Sequence, residues 1–372
     1  MADHVVVADD SPVRNGRVPA LTRAAAVLQT VSDAGRPMTL AELTELTGFP
    51  KSSVMGICHA LADEMLLTRG VDGTYVLGPS VFELASSARA QNWPIHDIGF
   101  SYPIDESFFL AEIGALHGEA DRLAARLHVH RAKEDRANQS RQILEFVDAG
   151  VDLILIEPVA SDGLEDACAR ARTARIPVVA IGSAVSGADA VVATDNTKAG
   201  FLAGSALASA LGGRGRIAVV GGIPITANSD RIAGCLAAIS PHPAIEVAAT
   251  SYGELDAGSG LRAAEEILVA GAAIDGFFAA NDQIAVGISR VLRDRSLNVP
   301  IVGVDGARNA VEEIRAGGAI IATATQDPTA LVRAAIDIGI TLHSGARVAR
   351  ASRYITPRLI DVHNAAEYEP WG

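Results

Sequence analysis

Hydrophobic residues are spaced in two different ways along this chain. Between about residues 20 and 80 they recur every three or four positions, which is typical of amphipathic helices. Further along, apolar runs of four to six residues alternate with amphipathic stretches, as in a parallel sheet covered by helices on both faces. The apolar runs predict ten strands: Asp97–Ser101, Leu127–His130, Leu153–Glu157, Val178–Ile181, Ala190–Thr194, Ile217–Gly221, Val247–Tyr252, Gly276–Ala280, Ile301–Asp305 and Ala319–Thr325. We therefore predict an α/β protein in which a small helical domain precedes a doubly wound domain with two lobes.

Residues 39–67 are predicted to form two short helices joined by a tight turn. Thr39 and Glu42 have the spacing of a capping box, in which a hydroxyl and a carboxylate satisfy the first free amides of a helix. One side of this first helix is expected to be buried through Leu40, Leu43 and Leu46. Gly48 supplies the left-handed conformation that a short turn needs, and Pro50 suits the first position of the next helix.

The second of these helices has one apolar side and one small, polar side. The apolar side consists of Val54, Ile57, Cys58 and Leu61. The outward side consists of Lys51, Ser52, Ser53, Met55, Gly56 and His59. A short helix without carboxylates on its outward face, braced by a preceding helix, has the geometry of a helix that enters a DNA major groove. An ordinary helical hairpin is the alternative interpretation.

The flanking segments complete a winged helix-turn-helix. Leu21–Ala34 is predicted to be a helix, with one face formed by Leu21, Ala24, Leu28 and Val31. After the second helix, Asp72-Gly73 marks the turn of a β-hairpin, which is the wing. We assign residues 18–80 to this domain and 81–94 to a linker helix. Residues 1–17 lack any hydrophobic period and are expected to form a disordered arm.

The composition restricts the functional classes. The 372 residues carry a net charge of −13, which argues against binding nucleic acid or acidic membranes by bulk electrostatics, so any DNA contact must be local. No signal peptide or membrane span is recognisable, and we expect a cytoplasmic protein. Three cysteines lie far apart in sequence and are expected to be reduced core residues.

Motifs for cofactors, metals and catalysis are missing from the sequence. His128 and His130 share a strand face, but no third metal ligand accompanies them. Residues 212–215 are glycine-rich but precede a strand, whereas a phosphate-binding loop follows one. The sequence also lacks GxSxG and HExxH motifs and paired catalytic carboxylates. We therefore expect no cofactor, no bound metal and no enzymatic activity.

Residues 20–85 resemble the DNA-binding domain of the IclR family of transcription regulators. The resemblance rests on TLAEL at 39–43, TGFPKSS at 47–53 and DGTYVLG at 72–78. It implies that DNA is contacted by Thr39, Lys51, Ser52, Ser53, Met55, His59 and Arg69. Met55-Gly56 stands where family members usually carry a basic residue. Because cations are few in this domain, binding to an operator is expected to require a homodimer or a tetramer.

Polar side chains follow several of the predicted strands directly. Ligands of doubly wound sheets bind outside the carboxyl ends of the strands, so these positions are candidates for a binding site. They include Ser101–Ser107, Gly182-Ser183, Asp195-Asn196, Asn281-Asp282, Asp305 and Gln326. Carboxylates and amides beside aromatic rings are typical of sites for hydroxyl-rich ligands. Asn281-Asp282 has a simpler explanation as the cap of the next helix.

Residues 97–372 resemble the periplasmic sugar-binding proteins of the ribose-binding type and the effector domains of LacI-type repressors, that is, the periplasmic-binding-protein type I fold. The resemblance rests on ESFF at 106–109, AGVDLILIEP at 149–158, RIPVVAIGS at 175–183, TDN at 194–196, FFAANDQIAVG at 277–287, IVGVDG at 301–306 and Thr325-Gln326. It implies a ligand site formed by Glu106, Phe108, Phe109, Ser183, Asp195, Ser229, Leu255, Asn281, Asp305 and Gln326.

Three positions depart from the ribose-type pattern. Gly182-Ser183 replaces an Asp-Arg pair, Ser229 replaces a sugar-binding arginine, and Leu255 replaces an aromatic wall. Arg231 is expected to be structural, and no cation is expected in the cavity. An anionic sugar would then be poorly stabilised, because a buried charge needs a partner. A neutral sugar or polyol is therefore the expected ligand.

The resemblance also implies the path of the chain through residues 95–372. Lobe 1 is expected to comprise about 95–194 and 327–354, and lobe 2 about 195–326 and 355–372. Hinges are expected near Thr194-Asp195, Gln326-Asp327 and Tyr354–Thr356.

These features lead to a hypothesis of a transcription regulator that senses a small sugar or polyol and controls genes for carbohydrate uptake or breakdown. A cytoplasmic carbohydrate-binding receptor, whose first domain contacts a protein partner, is one alternative. An enzyme that acts on a sugar in the cleft is another.

Overall fold

The computed structural model describes residues 19–90, 95–271, 273–346 and 352–372, with only the backbone described at 85–90. The chain divides into two units, residues 1–93 and 94–372. The predicted arm at 1–17 lies outside the described residues.

The first unit is a winged helix-turn-helix, as predicted. Its elements are α1 (Pro19–Ala34), α2 (Leu40–Thr47), α3 (Lys51–Asp63), β1 (Leu67–Arg69), β2 (Tyr75–Leu77) and α4 (Pro79–Ala90). The capping box is present, because the Thr39 hydroxyl accepts from the amide of Glu42 while the Glu42 carboxylate accepts from the amide of Thr39. Gly48 ends α2 in the left-handed conformation with φ 67°. Pro50 is the N-cap of α3, so that helix begins one residue later than predicted.

The core of the first unit corrects two predictions. Leu21 and Leu46 are 68% and 56% exposed, so neither belongs to the buried faces predicted for α1 and α2. The buried side of α1 passes instead through Val27 and Val31, which are four residues apart and therefore lie on the same face of the helix. Met38 is also buried, because its backbone pairs with Tyr75 and extends the wing sheet.

The second unit alternates strands and helices from residue 97 to its end. Its elements are β3 (Asp97–Tyr102), α5 (Ser107–Leu123), β4 (Arg126–Arg131), α6 (Arg136–Ala149), β5 (Leu153–Ile156), α7 (Glu165–Thr173), β6 (Val178–Ile181), β7 (Ala190–Thr194), α8 (Asn196–Ala210), β8 (Arg214–Gly221), α9 (Thr226–Ile239), β9 (Ala244–Tyr252), α10 (Ala257–Val269), β10 (Gly276–Ala279), α11 (Asp282–Asp294), β11 (Ile301–Asp305), α12 (Arg308–Arg315), β12 (Ile320–Thr325), α13 (Pro328–His343), β13 (Ser352–Ile355) and β14 (Leu359–Asp361).

These strands form two sheets of six, one in each lobe. The first has the order β13-β7-β6-β5-β3-β4 and the second the order β14-β12-β11-β10-β8-β9. All pairs are parallel except β12 with β14. Because β5, β6, β10 and β11 are buried along their whole length, their sequences are apolar except for Asp305 at the end of β11. The predicted fold class, a two-lobed doubly wound α/β domain behind a winged helix, is confirmed.

The chain passes between the two sheets at three places. These connections are β7 to α8, β12 to α13, and β13 to β14. All ten predicted strands are present, but β8 and β9 each begin three residues earlier than predicted, at Arg214 and Ala244. The prediction missed β13 and β14, since Ser-Arg-Tyr-Ile is a partly exposed edge strand and β14 has only three residues.

Candidate functional site

The outward face of α3 is the candidate DNA-contacting surface of the first unit. Lys51, Ser52, Met55 and His59 are exposed there, while Val54, Cys58 and Leu61 on the opposite side are buried. Burial raises the pKa of the Cys58 thiol to about 11, so this cysteine is a core residue. The face therefore offers an ammonium group, a hydroxyl, a thioether and an imidazole to a partner.

Ser53 is half-buried, and its environment adds a residue that was not predicted. Its hydroxyl accepts a hydrogen bond from a guanidinium nitrogen of Arg23 at 3.2 Å. The same guanidinium lies 5.6 Å from the ring centroid of Phe49, close enough for a cation–π contact. Arg23 on α1 thus adds an exposed positive charge beside the N-terminus of α3. Nothing in the local pattern of α1 indicates this contact, which joins residues 30 apart.

The other two predicted DNA-contacting residues lie at α2 and in the wing. Thr39 is exposed, and its hydroxyl is already used in the capping box of α2. Arg69 ends β1 and is exposed beside the wing turn. That turn is shaped by Asp72, whose carboxylate accepts from the amide and the hydroxyl of Thr74 at 3.0 and 2.7 Å.

In the second unit, a cavity lies between the two lobes at the carboxyl ends of the strands. Its empty space, including the part open to solvent, is about 410 Å³. It is lined by Glu106, Phe108, Phe109, Glu157, Gly182, Ser183, Ile225, Ala227, Asn228, Arg231, Leu255, Asn281, Asp305 and Gln326. Eight of the ten predicted ligand-binding residues are in this lining, so the structure brings them together.

The other two predicted ligand-binding residues lie outside the lining. Asp195 caps α8, where its carboxylate accepts from the amide of Lys198. Ser229 is exposed, and its hydroxyl donates to the carbonyl of Ile225 one helical turn earlier on α9. Position 229 points out of the cleft because α9 turns its buried face, with Asn228 and Arg231, toward the lining.

Arg231 corrects the expectation of a cavity without a cation. Its side chain is buried and belongs to the lining. Its Nε donates to Asn196 Oδ1 at 2.8 Å, and one terminal nitrogen donates to the carbonyl of Ala280 at 2.8 Å and lies 3.4 Å from Asp305 Oδ1. The guanidinium therefore has a structural role, as predicted, and also compensates one carboxylate of the cavity.

Asp305 is held in an unusual backbone conformation at the end of β11. Its φ of 145° lies in a region that favours glycine, and such strain persists only where neighbouring groups fix it. Its carbonyl accepts from the amide of Gln326 at 2.7 Å and from the Trp371 indole at 3.1 Å. Its carboxylate accepts from the Gln326 amide group at 2.7 Å. Burial raises the pKa of Asp305 to about 8, which Arg231 partly opposes.

Asn281 and Gln326 use their polar atoms within the protein. Asn281 caps α11 by accepting from the amide of Ile284, and it donates to the carbonyl of Leu255 at 2.9 Å. Gln326 accepts from the hydroxyl of Thr194 at 2.9 Å in addition to its bond to Asp305. Asn281 is thus a helix cap, as the simpler explanation has it, and it also lines the cavity.

Aromatic rings form one wall of the cavity. Phe108 and Phe109 are edge-to-face at 5.7 Å, and Phe108 meets Trp371 edge-to-face at 5.5 Å. Trp371 was not predicted, because no strand or helix pattern surrounds it. Leu255 is buried in the lining where the resembled pattern has an aromatic residue.

Three carboxyl groups line the cavity, and one of them, Glu157, was missed by the sequence analysis. Glu106 caps α5 by accepting from the amide of Phe108 at 3.0 Å and from the hydroxyl of Ser107. Burial raises its pKa. Glu157 follows β5 and is 3% exposed, and burial raises its pKa to about 8. Its position directly after β5 is the available signal, but the apolar run predicts Glu157 as the last residue of the strand.

Hydrogen bonds connect the lobes around the cavity. The first two amides of α9, from Thr226 and Ala227, donate to the hydroxyls of Ser161 and Ser183 at 3.0 and 3.3 Å. The Thr226 hydroxyl in turn accepts from the amide of Ala184 at 2.9 Å. Because α9 has no side-chain cap of its own, hydroxyl groups of the opposite lobe satisfy its free amides.

Two further observations concern other classes of site. Within the described parts of the chain, no group of three or more His, Cys, Asp or Glu side chains is placed to hold a metal ion. None of the helices described is long and apolar enough to cross a membrane.

Comparison with known proteins identifies both units. Residues 98–347 match the model of the periplasmic binding protein domain, and residues 20–70 match that of the IclR helix-turn-helix domain. The ribose import binding protein RbsB of Haemophilus influenzae is 30% identical over 66% of this chain and 83% of its own length. A xylitol-binding protein of Mycolicibacterium smegmatis is 27% identical over 61% of this chain and 66% of its own length.

Solved structures agree with these matches. An ABC transporter solute binding protein of Mycobacterium smegmatis with bound glycerol superposes with a TM-score of 0.71 and 29% identity, covering 75% of this chain and 99% of the other. A solute binding protein of Bacillus halodurans with bound myo-inositol superposes with a TM-score of 0.69 and 25% identity, covering 73% of this chain and 96% of the other. This chain therefore belongs to the periplasmic binding protein domain family and carries an IclR helix-turn-helix domain ahead of that domain.

Proposed function

We propose that this chain is a transcription regulator that senses a small sugar or polyol and acts in the cytoplasm on genes for the uptake or breakdown of its ligand. The observation that carries the proposal is the presence, in one chain, of a winged helix with an acid-free outward face on α3 and of a cavity lined by carboxyl, amide and aromatic groups. A DNA-binding domain joined to a sugar-binding type of domain supports a sugar-sensing regulator.

The ligand is proposed to be a small sugar or polyol without an acidic group. A neutral sugar or polyol is the simplest ligand of this kind. An empty space of at most about 410 Å³ limits the ligand to a single ring or a short chain. The one cation of the described lining, Arg231, is already bonded to Asp305, Asn196 and a backbone carbonyl. The relatives named for ribose and xylitol, and the structures with glycerol and myo-inositol, support this ligand class.

Ligand binding is proposed to act on DNA binding through closure of the lobes. A ligand that touches both lobes favours the closed arrangement by its difference in affinity for the two states. The bonds of Ser161 and Ser183 to the first amides of α9 form only when the lobes meet. Closure in a homodimer would then change the spacing of two winged helices, and with it their fit to the operator.

DNA binding is tested by gel retardation of the full chain on the DNA upstream of its own gene. We expect retardation at low salt, and we expect Lys51→Ala to weaken it and to reduce the slope of log affinity against log salt by about one, because one phosphate contact is lost. Lys198→Ala, an exposed lysine of the second unit, is the matched control. If a dimer does not retard this DNA, the regulator proposal is wrong, and a receptor whose first unit binds a protein becomes the better explanation.

Ligand binding is tested by a thermal-shift screen of pentoses, hexoses and polyols, followed by calorimetry. We expect Asp305→Asn to abolish the ligand-induced shift while the apo protein still binds DNA, since Asp305 lies in the cavity and not in the first unit. Asp294→Asn, at an exposed carboxylate, is the control. An unchanged response in Asp305→Asn contradicts the assignment of the cavity, and conversion of the ligand during prolonged incubation, detected by mass spectrometry, favours an enzyme.

A further inference from the structure

The cavity has an excess of acidic groups over basic ones. Among the lining residues, Glu106, Glu157 and Asp305 are acidic and Arg231 alone is basic. A fourth buried acid, Glu112, lies directly behind Glu157. Buried charges of one sign are costly unless something compensates them, so the partner of each carboxyl group indicates what the ligand must supply.

Two of the four carboxyl groups have partners within the protein. Asp305 is compensated by Arg231 and accepts a hydrogen bond from Gln326. Glu106 caps α5, where the amide of Phe108 and the hydroxyl of Ser107 donate to it and the positive end of the helix dipole stabilises its charge. Neither group requires a further cation.

Glu112 and Glu157 have no such partners. Both oxygens of Glu112 and Oε1 of Glu157 are buried and meet no hydrogen-bond donor among the described residues. Burial and the neighbouring Glu157 carboxyl group both raise the pKa of Glu112, so the two acids lie next to each other. The nearest cation to affect Glu157 is Arg231, whose nitrogens are committed to Asp305, Asn196 and Ala280.

The backbone of the cavity leaves room for the Glu157 carboxylate. A Cβ atom at Gly182 would lie 2.5 Å from Glu157 Oε1 and 2.8 Å from Oε2, and Gly182 has a φ of 70°. Only glycine at this position therefore allows Glu157 its place beside Ser183 in the lining. The carboxylate occupies the volume that a side chain at position 182 would fill.

A second acceptor without a donor lies in the same lining. Asn228 donates through Nδ2 to the carbonyl of Ile223 at 2.7 Å, which fixes the orientation of its amide. Its Oδ1 is buried and accepts no hydrogen bond from any described residue. The wall of the cavity thus contains two buried acceptors without a donor among the described residues, Glu157 Oε1 and Asn228 Oδ1.

We propose that the effector is an amino-substituted sugar or polyol, an amino sugar or aminocyclitol, whose protonated amine binds Glu157 in the cavity wall. The inference rests on the proposed function and narrows its ligand class. An ammonium group provides three donors and one positive charge, so it favours the ionised form of Glu157 and compensates the charge of the Glu112–Glu157 pair. A hydroxyl group provides one donor and no charge, and it leaves that pair uncompensated.

The test compares matched ligands on the full chain by isothermal titration calorimetry near pH 7. Each of D-glucosamine, D-galactosamine and an amino-deoxy-inositol is compared with its hydroxyl counterpart, and N-acetyl-D-glucosamine serves as a ligand whose nitrogen carries no charge. We expect at least one amine to bind about tenfold or more tightly than its counterpart, since a charge-assisted hydrogen bond replaces a neutral one. Glu157→Gln keeps the shape of the wall and removes its ability to ionise, so it should abolish this preference, whereas Glu265→Gln on the surface should keep it.

Each outcome decides between the proposals. A preference for the amine that disappears in Glu157→Gln supports the inference. If the hydroxyl counterparts bind equally well or more tightly, or if Glu157→Gln keeps the preference, the inference is wrong and the sugar or polyol sensor stands. If no member of either set binds, the inference is wrong, and the sugar or polyol class then stands only if the thermal-shift screen finds another ligand.

Discussion

The two candidate sites of this chain are built in opposite ways. The winged-helix face lies on the surface, and its supporting contacts are mostly local, as between Thr39 and Glu42. The cavity is buried, and its contacts join distant segments, as between Arg231 and Asp305 or between Glu112 and Glu157. A local contact changes one element when it is removed, whereas a buried long-range contact affects every element that it joins.

The largest effect on the free energy of unfolding is expected from Arg231→Met in the cavity. The substitution leaves the Asp305 carboxylate buried without its cation, and removal of one member of a buried pair typically costs about 3–5 kcal/mol. We expect urea unfolding, followed by the fluorescence of the tryptophans, to show a loss of this size. Hydrogen exchange of α3 in the first unit should be unchanged.

Arg290→Met, at an exposed arginine of α11, is the control and should change the free energy of unfolding by less than about 0.5 kcal/mol. Equal losses in the two variants would contradict the assignment of Arg231 as the compensating charge of the cavity.

A change of pH is expected to have an intermediate effect on the free energy of unfolding. Its sign is expected to differ between Glu157 in the second unit and Glu42 in the first. Burial raises the pKa of Glu157 to about 8 from its usual 4.5, so the stability that its proton contributes is fully present below about pH 4.5 and is lost as the pH rises to 8. The backbone amide of Thr39 and the Arg36 side chain lower the pKa of Glu42 to about 2, so its contribution is present above about pH 4.5 and is lost as the pH falls to 2.

Urea unfolding at a series of pH values measures the part that belongs to the cavity. One such group changes the free energy of unfolding by at most about 1.4 kcal/mol per pH unit. We expect Glu157→Gln to reduce the fall in stability between pH 5 and 8, and Glu265→Gln on the surface to leave it unchanged. A fall of the same size in Glu157→Gln and the wild type would mean that the carboxyl pair does not titrate in this range.

The same contrast explains what the sequence could predict. The helices of the first unit and the ten strands of the second follow from local patterns of capping, turns and apolar runs, and they are confirmed. Eight ligand-site predictions lie in the cavity lining because they follow strands whose carboxyl ends meet.

The missed features depend on contacts between distant residues. Arg231 is buried in the lining because α9 turns that face toward the other lobe, and Glu157 lies there because Gly182 leaves space for it. Trp371 reaches Phe108 from the last residues of the chain. No spacing within one helix or strand contains this information, since it arises when elements distant in sequence pack together.

The smallest effect is expected from Thr39→Ala in the first unit. The variant removes the hydroxyl that accepts from the amide of Glu42, and the loss of such a cap typically costs about 1 kcal/mol. Because the contact is local, hydrogen exchange measured by mass spectrometry should show about fivefold faster exchange in α2, with no change in α10 or α11. Thr173→Ala is the matched control, since the Thr173 hydroxyl is also exposed but donates to the carbonyl of Ala169 and caps no amide. Faster exchange in the second unit of the Thr39 variant, or weaker ligand binding there, would contradict this expectation. Either result would mean that the winged-helix face is not a local site, because a change in it would then alter the cavity.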